Sequence, residues 1–93
     1  MVSPDKAIVM YCRKGCEDSE LARSVLVAAG VPFREVDIDE DPAGLAFVRA
    51  VNGGYESTPT ILFPTGATLV EPSEEELLGA LGTSGLLNAS ERR

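Results

Sequence analysis

The sequence predicts a single α/β domain with a four-stranded mixed sheet in the order β-α-β-α-β-β-α and helices on both faces. Three observations predict it. Apolar runs too short for helices start near Ala7, Pro32, Thr60 and Ala67. Segments with helix start and stop signals separate the first three runs, so the first two strands form a right-handed parallel crossover. The last two runs flank Pro64-Thr65-Gly66, a tight turn that makes them an antiparallel hairpin.

Each element has its own reason. Ala7-Ile8-Val9-Met10-Tyr11 is continuously apolar, as in a strand buried on both faces. A loop, Cys12-Arg13-Lys14-Gly15, leads to a helix predicted over Glu17–Ala29. Leu21, Val25, Leu26 and Ala29 recur there at helical spacing, and Glu17, Asp18 and Glu20 suit the positive end of the helix dipole. Gly30 fits the left-handed position after a helix, and Pro32 bars continuation. Phe33, Val36 and Ile38 make 32–38 strand-like. Asp41 is the expected N-cap of a second helix, with Pro42 in its first position. Leu45, Phe47, Val48 and Val51 mark that helix, and Asn52-Gly53-Gly54 stops it. Thr60–Phe63 and Ala67–Val70 are the hairpin strands. Ser73 and Glu76 have capping-box spacing ahead of Leu77, Leu78 and Leu81. The domain is predicted over residues 1–82. Residues 83–93 form a tail expected to be flexible, with Leu86-Leu87 available to dock on the body.

Composition excludes several chemistries. The 93 residues carry 44% apolar and 25% charged side chains, the balance of a globular domain. A net charge of −7 argues against a nucleic-acid partner, which requires clustered Lys and Arg. With no His, a His general base, a Ser-His-Asp triad and a His metal site are excluded, and no metal is expected. No run reaches the roughly 20 apolar residues of a membrane span, and the N-terminus shows no signal-peptide pattern. The expected setting is the cytoplasm, with no membrane partner. Two cysteines four residues apart do not make a disulfide scaffold.

The chemistry concentrates on Cys16, placed at a helix N-terminus, where unpaired amides stabilise a thiolate. Arg13 and Lys14 add positive charge, while Glu17 and Asp18 oppose a further negative one. The balance predicts a modestly activated thiol, against the plainer reading of an inert small residue.

The segment Tyr11-Cys12-Arg13-Lys14-Gly15-Cys16-Glu17-Asp18-Ser19 resembles the active site of glutaredoxins. Val51-Asn52-Gly53-Gly54, Thr58-Pro59-Thr60 and Gly66-Ala67-Thr68-Leu69 follow in the family's order. Phe47 through Pro59 is particularly similar to mycoredoxins, the actinobacterial glutaredoxin-like proteins. The resemblance implies a thioredoxin fold, with Cys16 as nucleophile and Pro59 as a cis proline facing it. It implies that the Thr58 backbone pairs with the substrate, and that Arg13 contacts the carboxylate of a thiol cofactor. It puts Gly66 and Thr68 near a second cofactor-contact loop. The implied reaction is reduction of protein mixed disulfides by glutathione or mycothiol, in a protein expected to be monomeric.

The sequence departs from the family's C-x-x-C motif, because Ser19 replaces the second cysteine. A hydroxyl forms no disulfide, so a monothiol route remains, in which Ser19 either hydrogen-bonds the thiolate or is a plain surface residue. Cys12 has two readings as well: a buried residue closing the first strand, or an alternative resolving cysteine if the loop curls at Gly15. A bridging iron–sulfur cluster is disfavoured by Glu17 and Asp18 beside it. The rival functions are a redox-inactive binding module and a Cys12/Cys16 redox sensor.

Overall fold

The computed structural model describes residues 7–83. Its strands are β1 (Ile8–Cys12), β2 (Phe33–Asp37), β3 (Thr60–Leu62) and β4 (Thr68–Val70). Its helices are α1 (Glu17–Ala29), α2 (Pro42–Val51) and α3 (Glu74–Thr83). The sheet runs β2-β1-β3-β4, with β1 parallel to β2 and antiparallel to β3. The interior β1 has apolar neighbours on both faces, which is why four of its five residues are buried. All but Thr83 of the predicted tail, including Leu86-Leu87, lies outside the described residues; Thr83 closes α3.

Local chemistry sets the helix ends. Gly30 takes the left-handed conformation, φ 72°, and its N–H returns to the last turn of α1. The Asp41 carboxylate accepts the Gly44 N–H at 3.1 Å, with Pro42 in the first turn of α2. The Ser73 hydroxyl accepts the Glu76 N–H at 3.0 Å, and the Glu76 carboxylate accepts the Ser73 N–H at 2.8 Å. Two orphan amides of α3 are thereby satisfied reciprocally.

The main core joins Ile8, Met10, Cys12 and Ile61 of the sheet to Ala22, Val25 and Leu26 of α1 and Leu77 and Leu81 of α3. On the other face, Tyr11 stacks on Phe47 of α2 with ring centroids 4.7 Å apart. The buried Gly44 brings α2 close to β2: a Cβ there would meet Val36 Cγ1 at 2.7 Å.

One expectation for α1 is corrected. Leu21, predicted on the apolar stripe, is 43% exposed, while Ser19 and Ala22 face inward. The buried stripe is Ser19, Ala22, Val25 and Leu26, and the last three share the core cluster with Cys12.

Candidate active site at the tip of the first helix

The loop after β1 turns on Gly15, φ 79°, and closes with the Cys16 N–H donating to the Arg13 carbonyl at 3.3 Å. Cys16 becomes the N-cap of α1, in an extended backbone conformation with its thiol half-buried. The loop before β3 comes to meet it. The Thr58–Pro59 peptide is cis, and the Thr58 hydroxyl donates to Cys16 Sγ at 3.3 Å. The Cys16 thiol in turn points at the Thr58 carbonyl, 3.6 Å away.

Burial alone would raise the Cys16 pKa, but hydrogen bonding outweighs it. The Ser19 and Thr58 hydroxyls and the backbone amides of Ser19 and Asp18 favour the anion, and the thiol lies below its ordinary range. Ser19 is fully buried, not the surface serine that was one of its two readings. Its hydroxyl is among the groups that favour the Cys16 anion and makes no other hydrogen bond among the described residues.

The loop cations contribute differently from expectation. Arg13 donates through Nε to both Asp39 oxygens at 3.0 Å, and through Nη2 to Glu56 Oε1 at 2.8 Å. Lys14 pairs with Glu40 at 3.4 Å. Their charges are spent on carboxylates, and the sulfur is activated by hydroxyls and amides instead.

Cys12 is the last residue of β1 and buried in the core. Its sulfur points toward Glu35 Oε1 at 3.9 Å, a carboxylate already held by Arg23. Burial, then the Glu35 charge, push this thiol up. Both cysteines are free thiols.

Gly66 and Thr68 are not brought to this site. Thr68 pairs with Leu62, and Leu62 with Val9, so the hairpin turn lies at the end of the sheet where β1 begins. Three-residue strands run the length of the hairpin, and the segment beyond β4 returns instead. The Glu71 N–H donates to the Pro59 carbonyl at 2.9 Å, and Glu71 takes the left-handed φ of 49°, uncommon for a residue with a side chain. The sequence signal was the adjoining Pro72 and Ser73, which end a strand and open a helix.

The glutaredoxin family model matches residues 8–65, which span β1, the Cys16 loop, the cis peptide and β3. The chain belongs to the glutaredoxin family. A Mycobacterium tuberculosis protein named as a glutaredoxin is 35% identical over 75 residues, covering 81% of this chain and 89% of its own. The glutaredoxin of Methanosarcina mazei superposes with a TM-score of 0.72 at 25% identity, over 84% of this chain and 80% of its own. A solved thioredoxin-like protein superposes with a TM-score of 0.69 at 24% identity, over 77% and 96%; it supports the fold. This glutaredoxin therefore has the thioredoxin fold that the resemblance implied. No cluster of three or more possible metal ligands occurs among its described residues, and no described helix is long and apolar enough to cross a membrane.

Proposed function

We propose that this glutaredoxin reduces mixed disulfides between proteins and a low-molecular-weight thiol, glutathione or mycothiol, by a monothiol route through Cys16. The single observation that carries the reading is a half-exposed sulfur ringed by donors and held below the ordinary thiol range. In the first step the Cys16 thiolate attacks the small-thiol sulfur of the mixed disulfide. The old S–S bond breaks, a new one forms to Cys16, and the protein leaves as a thiolate that takes a proton from solvent. A second small-thiol molecule, as thiolate, attacks that sulfur. The attacked small-thiol sulfur leaves Cys16 in the symmetrical disulfide and Cys16 returns to its anion, so each turnover consumes one free small-thiol molecule and pairs it with the one carried in by the protein.

Thr58 and Pro59 would receive the substrate backbone beside the sulfur. Ser19 would hold the departing Cys16 thiolate. Cys12 would take no part, because a buried thiol with a raised pKa is a poor nucleophile. The reading keeps the expected cytoplasmic location and monomeric state. The test is turnover of a peptide mixed disulfide with each thiol, by the native chain, Cys16→Ser and Ser19→Cys. Turnover by the native chain and its loss in Cys16→Ser are the expected results. A native chain without turnover, while Ser19→Cys is active, would show instead a dithiol scaffold that has lost its chemistry.

A further inference from the structure

A small thiol joined to Cys16 must lie against the loop that carries Thr58, because both the hydroxyl and the carbonyl of Thr58 touch the sulfur. Glu56 stands two residues upstream on that loop. Arg13 stands three residues before Cys16 and is tied to it through the backbone. The Arg13–Glu56 pair thus joins the two segments that meet at Cys16, the loop before α1 and the loop that carries Thr58.

That pair is part of a closed cluster. Glu56 accepts Arg13 Nη2 on one carboxylate oxygen, and Arg49 Nε at 3.1 Å together with Arg49 Nη2 on the other. Arg13 also spans Asp39, and Lys14 holds Glu40. Three cations thus face Asp39, Glu40 and Glu56, with Glu17 and Asp18 at the helix start, so the rim is net negative. Arg13 first, then Arg49, hold the Glu56 carboxyl below the usual carboxylate range, and it stays ionised at neutral pH. A carboxylate on the incoming thiol would have to displace Glu56 from an arginine and enter a rim of like charge.

We propose that Glu56 determines thiol selectivity: by occupying Arg13 and Arg49 together, it disfavours carboxylate-bearing thiols and leaves Cys16 to an uncharged one. The inference rests on the reading of Cys16 as nucleophile. It acts in the first step above, in which Cys16 takes the small-thiol sulfur and the peptide leaves as thiolate.

The test compares one peptide carrying either glutathione or glutathione diethyl ester in mixed disulfide, two adducts of which the second has both carboxylate charges masked as ethyl esters. The second-order rate constant for transfer to Cys16 is read by intact mass. The native chain is expected to favour the ester. Glu56→Gln is expected to narrow that preference about tenfold, the scale of one freed charge-assisted contact. Arg13→Gln added to Glu56→Gln should undo much of the narrowing, which a merely structural role for Glu56 would not produce. Glu56→Ala, also at a partly exposed position, should behave as Glu56→Gln. Transfer with an unchanged ester preference in both Glu56 variants overturns the selectivity role and leaves the proposed function standing. No transfer to Cys16 from either peptide overturns the proposed function, and this inference with it.

Discussion

Cys12 ends β1 with its sulfur in the core beside the Glu35 carboxylate, while Cys16 stands on the tip of α1 with hydroxyls and amides turned toward it. Both thiols are partly withdrawn from water, and burial pushes both pKa values up. The difference lies in what surrounds each. Around Cys16 two hydroxyls and two backbone amides favour the anion. Around Cys12 the Glu35 and Asp37 charges add to burial and outweigh the opposing Arg23. Four residues of chain and one turn at Gly15 separate a thiol held below its ordinary range from one pushed above it, so position on the fold, rather than residue type, sets the direction of the shift.

The largest expected effect separates the two directly. Cys16→Ser should reduce turnover of a mixed disulfide to the uncatalysed rate. Cys12→Ser should keep turnover and lower stability by about 1–2 kcal/mol, because it puts a hydroxyl into a core site with few partners. Loss of turnover in Cys12→Ser, with the fold intact by circular dichroism, would restore Cys12 as a resolving residue.

Next in size is a control on the opposite face. Gly44→Ala should cost about 1–3 kcal/mol, read from denaturant unfolding, because its Cβ meets the branched end of Val36 at 2.7 Å. Surviving folded molecules should keep the Cys16 alkylation rate, since neither sulfur lies on that seam.

Removing the donors should sharpen the contrast. Ser19→Ala and Thr58→Val should each slow alkylation of Cys16 at neutral pH about fivefold to tenfold, the worth of a hydrogen bond to an anion. A stability loss in Ser19→Ala, with unchanged alkylation, would make Ser19 a packing residue only.

The smallest effect is in stability against pH. The folded Cys16 pKa is depressed, so the unfolded chain binds more protons between the two values, and stability rises with pH through that window. The contribution is lost as pH falls through the folded pKa. Cys12 has the opposite sign: its folded pKa is raised, so stability falls as pH passes above the unfolded thiol value. Chemical unfolding across this range should therefore show the rise missing in Cys16→Ser and the fall missing in Cys12→Ser.

Much of the fold was legible because its signals are local. Gly30, Asp41 with Pro42, and Ser73 with Glu76 mark helix ends by chemistry within a few residues, and the bounds of α1 follow from them. Cys16 and the Thr58-Pro59 pair were readable from motif order. Leu21 misled, because its spacing fits a helical stripe that the sheet meets one residue further on, at Ala22. Gly66 and Thr68 were placed near Cys16 by the resemblance alone, while the antiparallel pairing of β3 with β1 and β4 carries their turn to the opposite end of the sheet. The Arg13–Glu56 and Arg49–Glu56 pairs could not be read at all: one joins residues 43 apart, and neither follows a local spacing rule.

The most direct test is the pH dependence of Cys16 alkylation in the Cys12→Ser chain, where a single thiol reports. A midpoint below about 8.5, the value of a free cysteine, that moves up in both Ser19→Ala and Thr58→Val is the predicted result. A midpoint at or above that value, or one indifferent to both substitutions, would contradict a thiolate held by these hydroxyls and amides.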